Sequence, residues 1–177
     1  MDLNHNITTL LTQKDIELRV QELGAQITKE FAGKELICVC ILKGSVIFFS
    51  DLIRHIHLPI KIDFLRVSSY GNNLESSGEV RLLQDVSLPV EGKHILIVED
   101  IVDTGHTLAF LRNYLQSKNP LGVSLVSLLH KPSQTQTEVN IDYLGFTIEN
   151  HFVVGYGLDA AEEYRNLPYV GIVGTDS

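Results

Sequence analysis

Three things are scarce in this chain: cysteine, basic charge and long apolar runs. Two cysteines, Cys38 and Cys40, occur in 177 residues. They alternate along one apolar run, so they point to the same face of a strand and do not bridge readily. There is no CxxC and no Cys/His cluster with metal spacing. They read as buried thiols in a reducing, cytoplasmic setting. Lys and Arg number 14 against 22 Asp and Glu, a formal net charge of −8 with a pI near 5.3. That balance argues against a nucleic-acid or anionic-membrane binder, which presents a basic face. No apolar run exceeds LICVCIL at 36–42, far below the ~20 residues a membrane span needs. The opening MDLNHNITTLLTQKD has no basic segment followed by an apolar core, so no signal peptide is expected. Repeats, low-complexity tracts and Pro/Gly/Ser linkers are also missing, which predicts a single domain over 1–177.

What is present reads as a soluble globular chain, 44% hydrophobic and 20% charged, long enough to bury roughly 70% of its unfolded surface. Ile16, Val20, Leu23, Ile27 and Phe31 recur at helical spacing between Thr12 and Gly33. Thr12 with Asp15 three residues on resembles a capping box, and Gly33 suits the position after the helix. A strand ELICVCILK follows, then a helix in GSVIFFSDLIRHIH with Val46, Phe49, Leu52, Ile53 and Ile56 on one face. IKIDFLRV and EVRLL read as strands flanking a polar loop, SSYGNNLESSG. HILIV at 94–98 is a short apolar strand. TLAFLRNYLQSK is helical through Leu108, Leu111, Tyr114 and Leu115. GVSLVSLL, IDYLGFTI and FVVGYGL complete the strands. Strands alternating with helices predict an α/β fold with a mostly parallel sheet, and fully apolar strands fit a sheet covered on both faces. Ligands bind such sheets at the carboxyl ends of the strands.

Three strand ends carry chemistry: LKG at 42–44, VEDIVDTG at 98–105 and LLHK at 128–131. Thr104, Gly105, His106 and Thr107 sit between a strand and a helix N-terminus, where free amides, the helix dipole and two hydroxyls cradle a phosphate. Glu99 and Asp100 are acceptors suited to sugar hydroxyls or a hydrated Mg2+. Together they read as a ribose 5-phosphate cradle, although the same spacing also describes a strand–helix turn with incidental acids. GxxxxGK[ST] is absent and no GxGxxG follows the first strand, which removes the P-loop and dinucleotide readings. A response-regulator receiver would place its acid pair after the first strand, not after a late one.

VEDIVDTGHTL resembles the phosphoribosyl-diphosphate signature of the type I phosphoribosyltransferases, and the likeness extends from ILKGSVIFFSDL through SSYGNN to FVVGYGLDAAEEYRNLPYVG. That last stretch is similar to the purine-binding end of the hypoxanthine-guanine branch. The resemblance implies a central, mostly parallel sheet flanked by helices, with a small hood subdomain. It implies transfer of phosphoribosyl from phosphoribosyl diphosphate to hypoxanthine or guanine with release of pyrophosphate, in a Mg2+-dependent purine-salvage enzyme of the cytoplasm.

By the same resemblance the 5-phosphate lies in the Asp103–Thr107 loop, and Glu99 and Asp100 face the ribose hydroxyls. Asp103 is the proton acceptor at the purine, a task suited to a carboxylate, with a turn-capping aspartate as its plainer reading. Lys43, Gly44 and Arg165 hold pyrophosphate, and Asp159 joins Glu99 and Asp100 at the metal. Lys131 donates to the 6-oxo oxygen, Phe152 stacks on the base and Val153 and Asp159 meet its edge. Read without the resemblance, Phe152 is core and AAEEYR a solvated turn. Ser69 and Tyr70 open a loop that closes over the site. His106 contributes its backbone to phosphate, and its imidazole would make that affinity pH-dependent near neutrality. The resemblance implies a homodimer or homotetramer, with the VIFFSDLI helix as a candidate interface. An enzyme preferring xanthine or guanine is one alternative. A regulator that senses phosphoribosyl diphosphate and binds nucleic acid is another, disfavoured by the acidic charge.

Overall fold

The computed structural model describes residues 6–69 and 80–174. In chain order they form β1 (Ile7–Leu11), α1 (Gln13–Glu30), β2 (Leu36–Leu42), α2 (Val46–Arg54), β3 (Lys61–Ser69) and β4 (Val80–Gln84). Then come β5 (His94–Val102), α3 (His106–Gln116), β6 (Gly122–His130), β7 (Tyr143–Thr147), β8 (Val153–Val154) and β9 (Val170–Val173). A six-stranded sheet runs β4-β3-β2-β5-β6-β7, parallel except where β4 returns against β3. A separate three-stranded sheet, β1-β9-β8, is the small hood. No helix among the described residues is long and apolar enough to cross a membrane.

Side-chain alternation explains why both faces of the main sheet are buried. Leu36, Cys38 and Cys40 of β2 pack with Leu96 and Val98 of β5 under α1 and α2. Ile37, Val39 and Ile41 pack with Ile95 and Ile97 under α3. The period of two thus divides one apolar run between two cores. Both cysteines are buried free thiols, and burial pushes them up to about 12 for Cys38 and about 11 for Cys40.

Helix α1 begins where the sequence signal placed it. The Asp15 amide donates to Thr12 Oγ1 (3.2 Å), and the Thr12 amide donates to Asp15 Oδ2 (3.1 Å), closing the capping box. The helix ends at Phe31, and Gly33 takes φ 75° two residues later. In α2 the expected face is largely the buried one, with Phe49, Leu52 and Ile56 inside and Ile53 packed against them, and Val46 is the exception. Phe48, Phe49 and Leu52 are inside, whereas Val46 and Ile47 are exposed. Val46 is the first residue of the helix and lies at its exposed end, while Phe48 widens the buried face.

The order of the main sheet matters most for function. From β2 the chain crosses to β3 on one side, and the later strands β5, β6 and β7 extend to the other. The direction of winding therefore reverses between β2 and β5, and a crevice opens at their carboxyl ends.

Candidate active site

Strand β5 is longer than its apolar run. It continues through Glu99 and Asp100 to Val102, with Glu99 opposite Ser127 and Ile101 opposite Leu129 of β6. Pairing to β6 draws both acids inside, leaving Glu99 8% and Asp100 9% exposed. The Asp100 amide donates to Glu99 Oε1 (3.1 Å) and the Ile101 amide to Asp100 Oδ1 (2.7 Å). Burial and then the Asp100 charge raise the Glu99 pKa well above the ordinary carboxylate value. Asp100 is raised as well, by burial, and held back by hydrogen bonds and the Arg165 charge. Two buried neighbouring carboxylates are costly when ionised unless a cation joins them.

These acids line a cavity of about 260 Å3 with Gly44, Asp103, Thr104, Gly105 and Thr107. Gly105 is the N-cap of α3, with φ 84° and no side-chain cap. The first-turn amides of α3 therefore remain free to meet an anion. Gly105 is also sterically required, because a Cβ there would overlap the Thr137 carbonyl. The Asp103 side chain is exposed and makes no capping bond to the loop among the described residues, so the turn-capping reading is not what the structure adopts.

The loop is braced from the far side by the segment after β6. Gln136 and Thr137 amides donate to Thr104 O (3.0 and 2.9 Å), and Thr135 Oγ1 to Asp103 O (3.4 Å). His106 places its ring against the same segment, Nε2 on Gln136 Oε1 (3.0 Å) and Nδ1 on Thr137 Oγ1 (2.7 Å). His106 is not among the side chains lining the cavity. Nothing in the local sequence signalled this brace, since Gln136 and Thr137 lie about thirty residues away.

Lys131 follows β6, and its amide donates to Val102 O (2.9 Å), which sets it beside the end of β5. It is 7% exposed, and among the described residues its ammonium makes no hydrogen bond or ion pair. The Ile148 amide donates to His130 O (2.9 Å), seating the next connection beside the same strand end. Phe152 then stands 59% exposed, not in the core, while Val153 is buried in β8 opposite Ile172 of β9.

At the end of β2 the Leu42–Lys43 peptide is cis, and Gly44 packs on two neighbours. A Cβ on Gly44 would overlap the Asp100 carboxylate, and one on Gly157 would overlap Gly44 O. The 157–165 loop thereby sits on the Lys43–Gly44 turn. Arg165 Nη1 donates to Gly157 O (2.7 Å), and Nη2 pairs with Asp159 Oδ1 (2.8 Å). Asp159 Oδ2 accepts from the Glu162 amide (2.9 Å). Both oxygens of Asp159 are therefore committed, and no group of three or more metal-ligating side chains gathers among the described residues. The structure brings Glu99 and Asp100 together but leaves Asp159 apart, as the partner of Arg165. Glu162, which no local pattern singles out, pairs with both Lys43 (2.9 Å) and Arg165 (3.4 Å). Ser69 ends β3, and Tyr70 lies outside the described residues.

Residues 6–161 match the phosphoribosyl transferase domain family. A hypoxanthine-guanine phosphoribosyltransferase of Staphylococcus aureus is 49% identical over 162 residues, 92% of this chain and 90% of that protein. A hypoxanthine phosphoribosyltransferase of Haemophilus influenzae is 43% identical over 172 residues, 96% of each. A crystal structure of a hypoxanthine phosphoribosyltransferase from Staphylococcus aureus superposes with a TM-score of 0.90 at 48% identity, covering 94% of this chain and 90% of that one.

Proposed function

The chain belongs to the phosphoribosyl transferase family, and from that premise we propose that it is a purine-salvage enzyme acting on hypoxanthine and guanine. It transfers 5-phosphoribosyl from phosphoribosyl diphosphate to the base, giving IMP or GMP and pyrophosphate. The observation that carries this reading is the crevice between β2 and β5. There an uncapped helix start, a buried acid pair and a glycine turn beside two cations face one cavity.

In this reading the 5-phosphate sits on the amides and hydroxyls of Thr104–Thr107 at the start of α3. The pyrophosphate lies along Lys43, Gly44 and Arg165, where the planar guanidinium and the ammonium offset its charge. Lys131 donates to the 6-oxo oxygen. An amino group at that position would leave the buried ammonium unpaired, so adenine is rejected. Phe152 stacks on the base and Val153 meets its edge through the backbone. The bond from the ribose carbon to pyrophosphate breaks as purine N9 attacks it, pyrophosphate leaves with the electron pair, and Asp103 takes the purine proton.

Glu99 and Asp100 fit a divalent cation, since the pair is buried, mutually repelling and oxygen-only. Glu99 and Asp100 would hold Mg2+, which would supply positive charge to offset the diphosphate, while the two carboxylates face the ribose hydroxyls. Asp159 acts instead by orienting Arg165. Exposed Val46 and Ile47 on α2 support self-association as a dimer or tetramer, and the free buried thiols accord with a reducing cytoplasm. A nucleic-acid-binding sensor is not favoured, because the relatives are named as enzymes and the net charge is −8.

The direct test mixes protein, Mg2+, phosphoribosyl diphosphate and each 6-oxopurine, following the ultraviolet change as nucleotide forms. Turnover with hypoxanthine is expected, and no turnover with any purine would overturn the reading.

A further inference from the structure

Lys43 and Arg165 do not wait unpaired for a diphosphate. Glu162 Oε2 lies 2.9 Å from Lys43 Nζ and 3.4 Å from Arg165 Nη2, bridging cations from opposite sides of the Gly44–Gly157 contact. We propose that Glu162 is an internal counter-anion that occupies the pyrophosphate cations in the ligand-free protein, yields them when the donor binds, and so sets donor affinity and pyrophosphate release. This rests on the pyrophosphate role assigned to Lys43 and Arg165.

The loop that carries Glu162 is built to present it. Ala161 and Glu162 take φ 51° and 69°, and Tyr164 takes 72°, all left-handed conformations that side-chain-bearing residues rarely adopt. Ala160 and Glu163 exchange backbone hydrogen bonds (3.2 and 3.0 Å), closing a tight turn with Ala161 and Glu162 at its tip. The Glu162 amide is held by Asp159. The backbone is thus fixed while the carboxylate is solvent-exposed on its two cations. Hydrogen bonds from Lys43 and then Arg165 hold that carboxyl below the usual range, so it is anionic at neutral pH.

The two acids around Arg165 differ in kind. Asp159 is closer, at 2.8 Å, less exposed, and also bonded to the loop backbone; it stays with the guanidinium. Glu162 is 64% exposed, and an exposed ion pair is weakly held. A diphosphate carries more charge and more acceptor oxygens than one carboxylate, and it takes over both cations at once. When pyrophosphate leaves, the carboxylate returns and competes with its rebinding.

The test removes the charge and keeps the shape. Glu162→Gln is compared with wild type and with Glu163→Gln, which makes the same charge change on a neighbour that pairs with neither cation. Binding of inorganic pyrophosphate with saturating Mg2+ is measured by calorimetry, which needs no turnover, beside the donor KM. Glu162→Gln is expected to bind pyrophosphate about two- to fivefold tighter, the span of an exposed ion pair, and to lower the donor KM alike. Glu163→Gln is expected to match wild type, and in a Lys43→Gln background the Glu162→Gln gain is expected to shrink. Unchanged or weaker binding in Glu162→Gln overturns the proposal, and a Glu162 needed only to fold its loop would give that weaker binding. Absence of purine turnover by wild type would overturn the assigned reaction, whereas the ratio of pyrophosphate affinities tests Glu162 separately.

Discussion

Gly44 lies against the carboxylate of Asp100, so close that any side-chain carbon at position 44 would overlap it. Neither partner can yield easily. Asp100 is buried and tied to the Ile101 amide, and the other side of the turn is covered by Gly157. Gly44→Ala therefore displaces the turn that carries Lys43. We expect a stability loss of about 1–3 kcal/mol, as for an overpacked core site, seen in urea melts. The donor KM is expected to rise on the order of tenfold, equivalent to about 1.4 kcal/mol. A variant with wild-type KM would remove the close packing of Gly44 from donor binding.

The Glu99–Asp100 pair makes stability depend on pH in an unusual direction. Both carboxyls are raised above their unfolded values, chiefly by burial. A raised acid favours the folded state while protonated, and that contribution is lost as pH rises from the unfolded value through the folded one. Metal-free protein is accordingly expected to lose melting temperature as pH rises above the ordinary carboxylate range. Glu99→Gln should flatten that slope and melt higher at the alkaline end. Mg2+ should restore wild type more than the variant, because it binds only the folded pair. Equal slopes in melts of wild type and variant would contradict the coupling.

Much of this architecture was legible because local signals and tertiary demands agree. The five apolar residues of α1 and its Thr12–Asp15 box mark a helix that the sheet then covers. LICVCIL is apolar on both faces because both are buried. Legibility failed where a partner distant in sequence decides. ITTLL is too short and mixed to announce β1, which forms only by pairing with β9 at the other end of the chain. Val46 alone left the expected face of α2, because it stands at the first turn, where the core does not reach. HILIV ended the visible strand, yet pairing with β6 carries β5 on through the two acids. Phe152 looked like core in an apolar run, and the hood leaves it exposed. The chemistry at 99–107 showed in residue types, whereas Glu162 between Lys43 and Arg165 had no local signature.

Asp103 is the one acid of its segment that stays exposed and uncommitted. A group in that state can accept a proton without first giving up a partner. Asp103→Ala is expected to lower kcat at least tens-fold, within the 10²- to 10⁴-fold that a positioned base contributes. The donor KM should change little, because the amides of 104–107 remain. Steady-state kinetics with hypoxanthine decide it, and near-wild-type turnover would take the proton-accepting role away from Asp103.

Lys131 carries the opposite burden. Its side chain is almost wholly buried, and its ammonium has no acceptor among the described residues. The stem is buried while the ammonium tip still reaches solvent, so a 6-oxo oxygen arriving there exchanges a water for a charged hydrogen bond. Lys131→Met keeps the length and removes the charge. It is expected to leave the melting temperature close to that of wild type, because removing a charge that water already solvates changes stability little. The same variant should raise the KM for hypoxanthine about tenfold or more, consistent with the loss of a charged hydrogen bond of about 1.5–3 kcal/mol. The donor KM should stay within about twofold of wild type, less than 0.5 kcal/mol. Paired calorimetry and kinetics read both effects on one protein. A variant that is both less stable and unchanged toward purine would place Lys131 in the scaffold instead of the base pocket.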